Sequence, residues 1–156
     1  MYFINSNRLK RDIIERKFNE HDRFVYIIVY LLLTTFFMEV FTYLPQKDTH
    51  TIFDYANSFV SVSSIFVGTY FIYKANGAEM GRDFAGRLFS LTWVRSIQFL
   101  LILISFLIIF DIMDTSFLHL SSFNYEVVNF IMFSSYLFAI YLHSYRDVLE
   151  IRSQEL

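Results

Sequence analysis

Two ionisable residues stand inside stretches that are otherwise apolar: Glu39, within residues 24–44, and Arg95, within residues 88–110. A carboxyl or a guanidinium in such surroundings is expensive unless it pairs, binds an ion or relays a proton. At a helical rise of about 1.5 Å per residue, Glu39 lies about 23 Å and Arg95 about 10 Å from the same end of the molecule. That leaves about 12 Å between them, beyond the ~4 Å reach of an ion pair. Arg95 is expected instead to snorkel back toward the headgroups or to reach Asp83 or Glu79, with Gln98 one turn deeper. Glu39 has company at its own depth. Asn57 sits three residues inside Asp54, and Asn129 three residues inside Glu126, so Glu39, Asn57 and Asn129 define a candidate polar layer. Asp54, Asp111, Asp114 and Glu126 lie just above it, with His50 and His119 in the adjoining loops and Lys47 as the one cation there. This layer has three chemistries open to it: interhelical hydrogen bonding at about 0.6 kcal/mol per contact, a cation or proton site beneath an acidic mouth, or a divalent metal held by His50 and Asp54.

A second constellation occupies residues 73–95, where Gly77, Gly81 and Gly86 alternate with Glu79, Arg82, Asp83 and Arg87. Asn76-Gly77 signals a turn, and a short helix beginning at Gly81 or Arg82 would bring Asp83 and Arg87 together at i,i+4. Asp83, Arg87 and Arg95 thus form a candidate interface at the membrane surface. Glycines permit a tight re-entry; backbone amides with Arg82 and Arg87 would also suit an anion, although the spacing matches no phosphate loop. A third pattern, Ser61, Ser64 and Gly68 at i, i+3 and i+7, is a small-residue stripe that lets another helix approach closely.

Other chemistries are excluded by composition. The chain has no cysteine, so thiol redox chemistry and thiolate metal sites are absent. Its four histidines lie at helix edges and in loops rather than inside facing spans, against a haem bundle. There is no Gly-x-Ser-x-Gly elbow, Walker loop or zinc-protease motif. No catalytic residue, cofactor or metal is expected.

The elements that would position these residues follow from composition. Of 156 residues, 55% are hydrophobic and 18% charged, more apolar surface than a small soluble domain can hide. A helix needs about 20 largely apolar residues to cross ~30 Å of hydrocarbon, and four segments qualify: residues 24–44, 55–73, 88–110 and 123–145. None carries the polar stripe of a water-facing helix. The chain therefore reads as one all-α integral membrane domain, residues 1–156, with four transmembrane helices in an antiparallel bundle.

Lys and Arg place it in the membrane. Six precede residue 24, three lie in the loop 74–87 and two in the tail 146–156, against Lys47 alone in the other loops. Eleven against one puts both termini in the cytoplasm. The leader 1–23 has no apolar core of the signal-peptide kind; Leu9, Ile13 and Phe18 share one face of a short amphipathic helix expected either on the anionic leaflet or solvated, with Arg11–Glu15 and Asp12–Arg16 pairs.

In size, four spans and cytoplasmic ends, the chain resembles the immunity proteins that protect bacteria against pore-forming toxins. The resemblance is architectural, covers no motif and transfers no residues. The expectation is a non-catalytic protein of a bacterial inner membrane, acting through helix–helix contacts as a binding, immunity or membrane-complex assembly partner. Its partners would be membrane lipids and another membrane protein or a second copy. Nucleic acid is not expected at a net charge of −2 with the basic leader matched by acids. The alternatives are a small cation or proton channel or transporter using Glu39, and a membrane enzyme subunit acting on lipid at the interface formed by residues 77–95.

Overall fold

A computed structural model describes residue 2 and residues 4–43 and 51–155; Leu44, Lys47, His50 and the metal pair His50 and Asp54 would form therefore fall, wholly or in part, outside the described residues. Among the described residues the chain is all-helical, with five α-helices: α1 (Ser6–Ile14), α2 (Glu20–Tyr43), α3 (Ile52–Ala75), α4 (Phe84–Met113) and α5 (Ser122–Glu155). The apolar segments 55–73, 88–110 and 123–145 each fall within one long helix, and the described part of the first, 24–43, lies within α2, because a continuous apolar run satisfies its backbone internally wherever no turn residue interrupts it. Helix ends are marked by local chemistry. Asn5 caps α1 through its side-chain oxygen, which accepts from Arg8 N–H at 3.0 Å. Asp54 receives the Thr51 N–H at 2.7 Å and its hydroxyl at 3.1 Å, fastening the start of α3.

The packing order is α2–α4–α5–α3. Paired residue numbers give the directions. Tyr30 meets Phe89 with ring centroids 5.2 Å apart, and Arg23 meets Asp83, so α2 and α4 run parallel. Phe53 meets Phe130 and Phe71 meets Tyr145, at 6.2 and 6.4 Å, so α3 and α5 also run parallel. Phe99 meets His143 and Phe110 meets Tyr125, so α4 and α5 are antiparallel. Two parallel pairs, α2 with α4 and α3 with α5, thus join along the antiparallel seam of α4 and α5. Among the described residues α2 packs on neither α3 nor α5.

Burial is concentrated at one end. Leu9, Ile13, Phe18, Tyr26, Ile72, Leu91, Val94, Val148 and Ile151 form the core, each large side chain contributing about 1.5–3 kcal/mol when removed from water. The amphipathic leader helix was expected on a lipid surface or in solvent. Instead Leu9 is 0% exposed, because α1 docks its apolar face on α5 and α4. Away from this end the helices expose apolar residues in quantity, among them Phe59, Phe66, Ile102, Ile108, Phe117 and Phe138. Two helical stretches, Phe84–Leu118 and Ser122–Glu155, are long and apolar enough to cross a membrane. Their surfaces invert the soluble pattern, with apolar side chains outward and the charged contacts gathered at the buried end.

Candidate functional site

Residues 146–155, expected as a polar tail, continue α5 by nearly three turns. Ser144, Val148 and Ile151, at i, i+4 and i+7, are buried, and this places Asp147 against α4. Arg95 does not reach Asp83 or Glu79. Its Nε donates to Asp147 Oδ2 at 2.7 Å and its Nη2 to Oδ1 at 2.8 Å, a two-pronged pair. The reason is position: the prolonged helix brings a carboxylate beside Arg95, whereas Asp83 is taken by Arg23, whose Nε lies 2.8 Å from Asp83 Oδ2.

This pair anchors a larger network. Arg95 Nη1 donates to Gln98 Oε1 at 2.9 Å, and Gln98 Nε2 donates to the Ile4 carbonyl. From the other side, Lys10 Nζ lies 3.3 Å from Asp147 Oδ1 and donates to Glu150 Oε2 at 2.6 Å. Burial by itself would lower the Lys10 ammonium; the Glu150 hydrogen bond and the Asp147 charge outweigh it and hold the group above its ordinary value. Asp147 is 3% exposed and has cations on two sides. The expected Arg11–Glu15 pair is present at 4.0 Å, while Asp12 accepts the Tyr2 hydroxyl at 2.6 Å.

The glycine-bearing turn builds a second cluster. Gly77 has φ +105°, a conformation that any side chain would strain; there the chain reverses after Asn76. A single 3₁₀ turn, Ala78–Met80, follows, and α4 begins only at Phe84, later than the expected start. Arg87 is 3% exposed. Its Nη1 donates to Asn76 Oδ1 at 3.1 Å and its Nη2 to Glu155, while its Nε has no acceptor. Asn76 in turn donates from Nδ2 to the Arg82 carbonyl at 3.1 Å. Thus Asp83, Arg87 and Arg95 share one end of the molecule but serve different partners.

Burial raises the Asp83 carboxyl above its ordinary value, against the opposing charge of Arg23. A raised carboxyl binds its proton more tightly folded than unfolded, so stability falls as pH rises from about 4, the ordinary carboxylate value, through the raised one. Asp83→Asn should therefore gain on the wild type in melting temperature as pH rises through that window in detergent solution. A difference that stays constant or shrinks would contradict this.

The outer polar layer is only partly assembled. Asn57 and Asn129 lie on the packed pair α3 and α5, at nearly matching register given the Phe53–Phe130 contact. Both side-chain oxygens are buried without a hydrogen-bond partner. Glu39 is exposed on α2, with two helices, α4 and α5, between it and α3 in the packing order. Asp54 is engaged at the start of α3, Asp114 Oδ1 accepts the Leu120 N–H at 2.8 Å, and Glu126 lies half-buried on the first turns of α5. Among the described residues no three His, Asp or Glu side chains are grouped to hold a metal.

The small-residue stripe meets its neighbour within the chain at Gly68. A methyl built there would overlap the Tyr141 ring, so absence of a side chain sets the close approach of α3 to α5. Ser64 and Gly68 also line a cavity of about 520 Å³, with Phe71, Phe138, Tyr141 and Tyr145 among its other walls. Ser61 donates to the Asn57 carbonyl of its own helix at 2.8 Å.

Asp147, Glu155, Asn76 and Lys10 were not anticipated as site residues. The periodicity of Ser144, Val148 and Ile151 carried the signal for the first two, whereas the other two depend on which helices become neighbours. No family model, curated protein or solved structure matches this chain.

Proposed function

We propose that α2, α3, α4 and α5 each cross a bacterial inner membrane, with α1 and both chain ends at the cytoplasmic face. The protein then acts without catalysis as a binding, immunity or assembly partner, through helix contacts in the bilayer. The exposed carboxyl of Glu39 carries this reading. It stands on α2 near Leu32 and Phe36, themselves 64% and 59% exposed, on a helix that among the described residues packs against α4. A carboxyl facing hydrocarbon costs several kcal/mol, and a partner helix presenting a hydrogen-bond donor removes that cost.

A photo-crosslinking side chain at position 39, in cells, should capture a protein, either a second membrane protein or another copy, while the same group at Ile102 on α4 should capture lipid. Glu39→Leu should weaken the association about three- to tenfold, the range of single interhelical hydrogen bonds. Capture of lipid alone at position 39 would defeat the proposal, as would ion flux into proteoliposomes that Glu39→Gln abolishes.

A further inference from the structure

The turn after α1, the start of α2, the approach to α4 and the end of α5 enclose a pocket of about 230 Å³. Four arginines line it, Arg16, Arg23, Arg82 and Arg87, against two carboxylates, Asp83 and Glu155. The excess of two positive charges is gathered in a space smaller than the ~300–1,000 Å³ of ordinary ligand sites, so it suits a compact anion. The four differ in how they are held. Arg87 is almost wholly buried, fixed by Asn76, and has one donor unfilled. Arg23 is half-buried beside Asp83, with a Nε close to the carboxylate but not aligned to donate to it. Arg16 and Arg82 are exposed at the rim and form no ion pair among the described residues. A fixed guanidinium at the base, a second on the wall and two exposed ones at the rim are the parts of a phosphate site, since guanidinium forks match phosphate oxygens.

We infer that this pocket binds a phosphate group, and that the Glu155 carboxylate now resting on Arg87 holds the anion position until phosphate displaces it. Phosphate offers more acceptor oxygens and more charge than a carboxylate, and it can engage the rim arginines as well as Arg87. Displacement frees the last turn of α5, where Arg152 donates to the Ala75 carbonyl at 3.4 Å, so occupancy of the pocket loosens the C-terminal turn. The site is at the other end of α2 from Glu39 and does not depend on the docking proposed there.

Inorganic phosphate titrated calorimetrically into the detergent-solubilised chain should bind saturably. Arg16→Gln and Arg82→Gln, both at exposed positions that the fold does not need, should each weaken binding roughly tenfold, the loss of one charge-assisted hydrogen bond. Glu155→Gln removes the competing carboxylate and should tighten binding at least threefold. Nanodiscs containing phosphatidate, compared with phosphatidylcholine alone, identify the source. If phosphatidate raises the melting temperature and competes with free phosphate, the ligand is a lipid headgroup; if only free phosphate binds, it is a soluble anion. Absence of saturable binding by both the wild type and Glu155→Gln, or an affinity unchanged by Arg16→Gln and Arg82→Gln together, would overturn the site.

Discussion

Asp147→Ala should destabilise the fold by about 3–5 kcal/mol, the cost of leaving buried charge without its counter-ion. The variant would leave the Arg95 guanidinium and the Lys10 ammonium converging on an empty position, each having lost its contact of 2.7–3.3 Å to the carboxylate. Arg95→Ala should cost less than Asp147→Ala, since Lys10 still compensates Asp147. The triple change Lys10→Met, Arg95→Met, Asp147→Leu should recover most of the loss, because an apolar replacement of a whole buried network is often close to neutral. Glu150→Gln is the control, because its side chain is 49% accessible, against 12% for its partner Lys10, and the glutamine oxygen still accepts from the ammonium; the change should cost on the order of 1 kcal/mol. Unfolding in detergent micelles gives all four values. If Asp147→Ala fell within the range of Glu150→Gln, the network would be decoration on a fold held by its apolar core alone.

Gly68→Ala should cost about 1–3 kcal/mol, the usual penalty for overfilling a close contact. The added methyl would meet not only the Tyr141 ring but also its Cβ, 2.9 Å away. Turning the ring aside therefore does not clear the clash, and the two helix backbones must separate. Gly68→Ala combined with Tyr141→Ala should lose less than the sum of the two single changes, a coupling that distant sites do not show. Ser61→Ala, on the same stripe but bonded to its own helix, should change stability by less than about 0.5 kcal/mol. Additive losses at Gly68 and Tyr141 would mean that α3 and α5 are not held together at this point.

The sequence made the long helices legible because each rests on an uninterrupted apolar run, and such a run needs no knowledge of neighbours. The last ten residues of α5 were hidden by their charge. Arg146, Asp147, Glu150 and Arg152 read as a solvated tail when counted by composition, yet Val148 and Ile151 keep the helical period and are 0% exposed. Depth along the helix axis was legible too, which is why Asn57 and Asn129 fall at one level. Which helices touch was not. Grouping Glu39 with them assumed a ring of helices, and the order α2–α4–α5–α3 puts two helices between α2 and α3. The leader shows the same limit. An amphipathic face at Leu9 and Ile13 says that something apolar covers it, and a lipid surface and a protein surface satisfy that pattern equally.

Docking of α1 has a temporal consequence. Lys10 and Glu150, bonded in the finished molecule, are 140 positions apart, and translation proceeds at about 5–20 residues per second. On the order of ten seconds thus elapses between synthesis of the leader and synthesis of its dock, during which Leu9 and Ile13 have no surface of their own chain to rest on. Leu9 and Ile13 are therefore open to chaperones and proteases until α5 has emerged from the ribosome and α1 can dock on it.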